Sequence, residues 1–318
     1  MGSPRRGLAI GCGGTLGFAW TAVVLHAVEQ HLGWDSRTAE VLIGTSAGSE
    51  IVAALGAGHA PSDILRALDD EPGADPVLAT HLRHPPGAAP PLPGIGFPAT
   101  GLVRTGVRQS SAYTALAGLL PVGRGDATWL RSYGSSLAGT NGWVDHARTW
   151  IVGADTATGE RVAFGSPGAP AASLGDAIAA SWAIPGWFPP VTIDGHQYVD
   201  GGSVSSVSAD LLAPLELDEL VVVAPMTSHG GAPARGVARI ERVLRRQMTR
   251  GLDREIAVLE AAGTRVIRIE PTAEDLETMG ANFMDLRRRS RTVETTRASA
   301  PANVAGAVDR VRKAGVSA

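Results

Sequence analysis

A serine stands in a run of small residues, 44–48 (GTSAG), directly after the short apolar run 41–43. A serine on a sharp turn between a buried strand and a helix holds its hydroxyl out from the end of the sheet, where it can act as a nucleophile. The following helix presents its N-terminal amides to an anion that forms at this point. The same pentapeptide also fits a simple N-cap serine, so the pattern alone leaves both interpretations open.

A glycine-rich segment, residues 11–17 (GCGGTLG), lies at an earlier junction between an apolar run and a helical pattern. It could bind a dinucleotide phosphate, or its backbone amides could form an oxyanion hole. The dinucleotide fingerprint requires glycine at the sixth position, which is Leu16, and an acidic residue after the second strand, where the chain reads Gly44. Because both turns follow strands of a parallel sheet, where sites of such folds form, we favour the oxyanion hole.

A nucleophilic serine needs a base. His229 follows an apolar run and would complete a Ser-His-Asp triad, although nothing around it is distinctive. Asp200 is the alternative, since it ends a short apolar run and the two glycines after it permit a close backbone approach. An ordinary Asp-Gly-Gly turn remains the simplest interpretation of that tripeptide alone.

Apolar patterning predicts the elements that position these residues. Strands are predicted at 7–10, 41–43, 150–154, 161–164, 197–199, 220–224 and 266–269, and helices at 15–32, 49–57, 110–120, 174–182 and 237–261. Alternating strands and helices predict an α/β fold of three layers, with a mainly parallel central sheet covered by helices.

Residues 71–101 are rich in proline, including Pro85 and Pro98, so no helix or strand is expected to run through them. Such a segment is either a cover over an active site or an irregular surface excursion. We expect one domain over residues 1–318, with residues 71–124 as a lid or irregular insertion. Residues 273–318 are expected to form a helical tail that carries the solvated triplet 287–289.

Composition excludes some classes of function. The net charge of −3 over 318 residues offers no basic surface for nucleic acid. Cys12 is the only cysteine, which excludes an intramolecular disulfide and a multi-cysteine metal site. Glycines interrupt the apolar N-terminal stretch and no signal cleavage site is clear, so we expect a cytoplasmic protein without a membrane span.

Four segments together resemble the patatin-like phospholipase family in order and spacing. They are the glycine loop 11–17, the serine turn 44–49, the string 180–190 (ASWAIPGWFPP) and the segment 198–202 (YVDGG). The third is the most specific, because a string so rich in proline and aromatic residues seldom arises by chance. The resemblance spans about residues 7–225 and implies the patatin-like fold.

The resemblance also implies a Ser–Asp dyad that hydrolyses carboxylic esters through an acyl-enzyme. Ser46 would be the nucleophile and Asp200 the base, and the amides of Gly13 and Gly14, with that of Ala47, would stabilise the oxyanion. The glycines that support these motifs are Gly11, Gly17, Gly44, Gly48, Gly201 and Gly202. No metal or cofactor is implied.

The implied partner is a lipid or another acyl ester, with transient contact to a membrane surface. Nucleic acid is not expected, and the sequence does not determine the oligomeric state. We expect the bulky residues Trp182, Trp187 and Phe188 to line the acyl pocket.

Two positions depart from the family pattern. Phe18 stands where the family usually has Arg or Lys, which would remove a charge near the mouth of the site. Ser205 and Ser206 replace the family's Asn-x-Pro and could hydrogen-bond Asp200 instead. These departures leave three alternatives: a catalytically altered binding or scaffold protein, a Ser-His-Asp hydrolase and a nucleotide-binding protein.

Overall fold

A central sheet of eight strands organises the protein. The structure is a computed structural model that describes residues 4–84, 86–96, 99–229, 231, 233, 236 and 238–316. Residues 1–3, Pro85, Pro98, the predicted start of a helix at 237, and residues 317–318 of the predicted tail lie outside the described residues.

The strands are β1 (Arg6–Ile10), β2 (Leu42–Thr45), β3 (Thr149–Asp155), β4 (Arg161–Phe164), β5 (Val191–Ile193), β6 (His196–Asp200), β7 (Glu219–Val223) and β8 (Arg265–Ile269). The helices are α1 (Gly14–Leu32), α2 (Ala47–Gly56), α3 (Pro61–Leu68), α4 (Pro76–Arg83), α5 (Thr100–Arg108), α6 (Ala112–Gly118), α7 (Thr128–Leu137), α8 (Leu174–Ser181), α9 (Ala238–Ala261), α10 (Ala273–Met279) and α11 (Arg289–Val316). Short 3-10 helices occupy Ser36–Thr38, Gly201–Ser203, Ala209–Leu215 and Leu286–Arg288.

The strand order is β5-β6-β3-β2-β1-β7-β8, with β4 paired to β3 outside this path. Strands β3, β2, β1, β7 and β8 are parallel, whereas β4 and β6 run antiparallel to β3. The predicted pairing of 150–154 with 161–164 is therefore confirmed. The carboxyl ends of β1 and β2, which precede the glycine loop and the serine turn, lie side by side.

Alternate residues of the strands pack into two hydrophobic cores, one on each face of the sheet. Leu8 and Ile10 of β1 face the core built with α1, α2, α8 and α11, and Ala9 between them faces the core under α9. The result is a three-layer α/β fold with a mixed, mostly parallel central sheet flanked by helices, as the alternating pattern predicted.

Several elements were not evident from the sequence. Helix α4 lies inside the proline-rich segment, because Pro76 occupies its first turn and the Asp75 carboxylate caps the amides of Val77 and Leu78. Helices α3 and α7 and the three-residue strand β5 were also missed. In the described part of the chain, none of the helices has the length and apolar character to cross a membrane.

Candidate active site

Ser46 lies between the end of β2 and the start of α2 with φ 55° and ψ −124°. A side chain other than glycine is strained in this region, and such strain is typical of functional turns. Its side chain makes no capping hydrogen bond to α2, so the N-cap interpretation is wrong. Only 2% of Ser46 is exposed.

The turn is held through its backbone. The Ser46 amide donates to the Ser181 hydroxyl oxygen (2.8 Å), and the Ser181 hydroxyl donates to the carbonyl of Val152 on β3 (2.7 Å). On the other side, the amide and hydroxyl of Ser49 donate to the Ser46 carbonyl at 2.8 and 2.6 Å. Sequence analysis quoted Ser181 only as part of a motif and did not assign it a role.

Close backbone packing explains the glycines around this serine. A Cβ atom at Gly44 would lie 2.4 Å from the Gly48 carbonyl oxygen, and one at Gly48 would lie 2.3 Å from the carbonyl oxygen of Ile10. Only glycine lets β1, β2 and the first turn of α2 approach this closely.

Asp200 ends β6, beside Gly153 of β3, and only 5% of the residue is exposed. Its carboxylate accepts a hydrogen bond from the Gly202 amide (2.7 Å) and another from the Ser46 hydroxyl. Burial raises the pKa of Asp200 to about 7, and these two hydrogen bonds only partly oppose the rise. A carboxylate with this pKa is a stronger base than an exposed aspartate.

The glycine loop lies at the N-terminus of α1. Gly14 has φ +57°, and a Cβ atom there would lie 2.5 Å from the Phe283 ring. The amides of Gly13, Gly14 and Ala47 donate no hydrogen bond to another described residue, whereas that of Leu16 donates to the Phe283 carbonyl (3.0 Å). These three amides are therefore available for a ligand oxygen.

The remaining motif glycines support the loops. The Gly11 amide donates to the carbonyl of Val223 (2.9 Å), and Gly17 packs against Pro225. Gly201 lies against the Val152 carbonyl, where a Cβ atom would be 2.7 Å away. Gly202 supplies the amide that holds Asp200.

Ser46 and Asp200 open into one cavity of about 50 Å³. Its walls combine motif residues with side chains from distant parts of the chain, namely Cys12, Gly13, Gly14, Tyr113, Ile184, Gly202, Ser203, Met226, Leu244, Met248 and Phe283. Burial raises the pKa of the Cys12 thiol, which keeps it protonated at neutral pH. No local sequence pattern identified Tyr113, Leu244 or Phe283 as part of this site.

The aromatic residues expected in the acyl pocket lie elsewhere. None of Trp182, Trp187 and Phe188 lines the cavity that holds Ser46. Trp187 and Phe188 stack on each other and pack against the 123–125 backbone. The indole of Trp182 points away and donates to a Glu50 carboxylate oxygen (2.6 Å). Ile184 of the same string faces the cavity instead.

Glu50 belongs to a second buried cluster, one helical turn beyond Ser46. Its other carboxylate oxygen contacts His81 Nε2, and the His81 ring stacks on Tyr133 with 3.7 Å between ring centroids. Phe18 lines a small cavity with this pair and is 4% exposed. The expectation that residue 18 lies near the mouth of the site was therefore wrong, because it faces this buried cluster.

Neither serine after Asp200 holds its carboxylate. The Ser205 hydroxyl contacts Glu255 of α9, and the Ser206 carbonyl accepts the Cys12 amide (2.8 Å). His229 also lies apart from the dyad, since its side chain is 79% exposed, 3.8 Å from Asp253, and does not line the Ser46 cavity. The structure thus brings Ser46 together with Asp200 and not with His229.

Comparison with known proteins agrees with this arrangement. The family model for the patatin-like phospholipases matches residues 8–213, which include Ser46 and Asp200. One solved structure with a similar chain is VipD from Legionella pneumophila, at 12% identity and a TM-score of 0.39 over 97% of this chain and 67% of that one. No curated protein matches the sequence significantly. Because the family model covers more than half of its residues, the chain belongs to the patatin-like phospholipase family.

Proposed function

We propose that the protein is a lipid acyl hydrolase that cleaves carboxylic esters through an acyl-enzyme on Ser46, with Asp200 as the base. The observation that carries the proposal is the strained turn at Ser46, whose hydroxyl donates to the buried Asp200 carboxylate instead of capping α2. Family membership supports the lipid ester as substrate.

In the first half-reaction, the Ser46 oxygen attacks the ester carbonyl while its proton passes to Asp200. The amides of Gly13, Gly14 and Ala47 stabilise the resulting oxyanion, and the tetrahedral intermediate collapses as the alkoxide leaves with the proton from Asp200. Each such donor can be worth about 3 kcal/mol in the transition state.

In the second half-reaction, Asp200 takes a proton from water, which attacks the acyl carbonyl. Collapse of this intermediate releases the carboxylic acid and returns the proton to Ser46. Since Asp200 must be ionised in both steps, its pKa of about 7 predicts activity that rises as the pH increases through neutrality.

The insertion at residues 71–124 is proposed as a cover for this site. Helix α6 contributes Tyr113 to the cavity wall, and the Tyr113 amide donates to Gln247 Oε1 of α9 (3.0 Å). The cavity of about 50 Å³ is far below the roughly 300–1,000 Å³ of ligand pockets. An acyl ester therefore enters only when this wall moves.

Site-directed variants test the dyad. Ser46→Ala and Asp200→Asn should each lower turnover of a short-chain nitrophenyl ester by roughly 10³-fold or more, whereas His229→Ala should stay within about twofold of the wild type. Fluorophosphonate should label the wild type and not Ser46→Ala.

Wild-type turnover by either dyad variant would contradict the proposal. A large loss in His229→Ala would support a Ser-His-Asp triad instead. A folded wild-type protein that neither labels nor hydrolyses any lipid of a panel would point to a binding or scaffold protein.

A further inference from the structure

A second cavity, of about 580 Å³, lies along α9 on the far side of the segment that follows β7. Four arginines of α9 line it, at positions 242, 245, 246 and 250, together with His229. Spacings of three and four residues place these arginines on one face of the helix. The cavity contains neither Ser46 nor Asp200.

Carboxylates do not balance the charge of this helix face. Arg245 Nε donates to Glu241 Oε1 (2.7 Å), and Arg242 contacts the other oxygen of the same carboxylate. The side chains of Arg245 and Arg242 are 4% and 10% exposed, so two buried guanidinium groups share one carboxylate. Burial of a cation without a partner is unfavourable, and it lowers the pKa of Arg245.

The neighbouring acids do not supply the missing charge. Asp253 and Glu270 both contact Arg268, at 2.5 and 2.7 Å. Among the described residues, no ion pair includes Arg246 or Arg250. The face therefore carries four guanidinium groups and the single carboxylate of Glu241.

Arg242 provides an independent sign of a ligand. Its Nε is buried and has no hydrogen-bond partner in the described part of the chain. Buried polar atoms are nearly always satisfied, and an unpaired donor costs free energy comparable to a lost hydrogen bond. An anion in this cavity would satisfy the atom and the excess charge together.

We propose that this cavity binds a phosphate group, either of a lipid headgroup or of a free phosphate. Phosphate fits the site because its oxygens accept paired hydrogen bonds from the planar guanidinium fork. The cavity also adjoins the candidate active site. Arg245 donates to the Pro225 carbonyl (2.5 Å), and the Pro225 ring packs against Gly13.

Phosphate-dependent stability tests the binding. The melting temperature of the wild-type protein should rise saturably with inorganic phosphate at constant ionic strength. Arg246→Gln/Arg250→Gln removes two exposed lining charges and should weaken phosphate binding at least about tenfold. Arg291→Gln, an exposed arginine on α11, is the matched control and should bind as the wild type does.

Vesicle sedimentation distinguishes the two sources of phosphate, with Ser46→Ala present in every protein to prevent hydrolysis. A headgroup ligand predicts sedimentation with phosphatidylglycerol vesicles that inorganic phosphate competes away and that the double variant loses. A free phosphate ligand predicts the melting shift without such sedimentation.

The proposal is overturned if phosphate does not stabilise the wild type, or if it stabilises the double variant equally. Either result leaves the acyl hydrolase proposal intact, since that depends on fluorophosphonate labelling of Ser46.

Discussion

Ser181 acts on the proposed nucleophile through a single buried hydroxyl. It links the Ser46 amide to the Val152 carbonyl and therefore ties the strained turn to β3. The residue touches no substrate atom, so its role is to position Ser46. Removal of its hydroxyl would leave the Ser46 amide unpaired in the interior.

Ser181→Ala should lower kcat between about tenfold and a hundredfold, because small displacements of a reacting atom have effects of this size, with little change in KM. The rate at which fluorophosphonate labels Ser46 should fall in parallel. Both are measured on the folded fraction, at a temperature well below the melting transition.

Ser173→Ala is the control for Ser181→Ala. Ser173 caps the same helix, α8, and its side chain accepts the Asp176 amide. Its loss costs about 1 kcal/mol of stability without reaching Ser46. Equal labelling rates in the two variants would show that Ser181 has no positioning role.

At the scale of elements, Glu50 joins helices α2, α4 and α8. Its carboxylate accepts from the Trp182 indole and contacts His81, and its side chain is 4% exposed. Two donors from separate helices therefore converge on one buried carboxylate that lies a helical turn from Ser46.

Glu50→Ala should lower the free energy of unfolding by about 3–5 kcal/mol, because it leaves buried partners of an ion pair without their acceptor. Urea denaturation measures the loss. Arg131→Ala removes an ion pair whose side chains are 45% and 41% exposed and should cost less than about 1 kcal/mol. Similar losses in both variants would contradict a structural role for the buried cluster.

At the scale of the whole molecule, the candidate site lowers stability at neutral and alkaline pH. The pKa of Asp200 is about 7 when folded and near its ordinary value of 3.8 when unfolded. Below about pH 4 the carboxyl is protonated in both states and makes no difference. Between the two pKa values the unfolded state ionises first, so folded stability falls as the pH rises and the penalty is complete above about pH 7.

Asp200→Asn should therefore be more stable than the wild type at pH 8, by an amount on the order of 4 kcal/mol at most. The difference should vanish below about pH 4. Urea denaturation of both proteins from pH 4 to pH 8 gives the comparison, and a difference that does not change with pH would exclude a raised pKa for Asp200.

The sequence predicted the features that short-range patterns encode. Strand-to-helix junctions before the loop at 11–17 and at Ser46 were evident because apolar runs end at glycines, and the alternation predicted the parallel sheet. Elements with weak patterns were missed, such as β5 with three residues and α4, which begins at a proline. The role of Phe18 was also misjudged, because burial depends on contacts with His81 and Glu50 that lie far away in the chain.

The sequence by itself thus determined the family resemblance, the fold class and the proposed pairing of Ser46 with Asp200, since each depends on residues close together in the chain or on a recognisable string. Only the tertiary structure decided which side chains enclose the pair, because Tyr113, Leu244 and Phe283 meet there through packing between distant elements. It also decided the pKa of Asp200 and the unbalanced charge along α9. Both follow from burial, which depends on the whole fold and which no local pattern records.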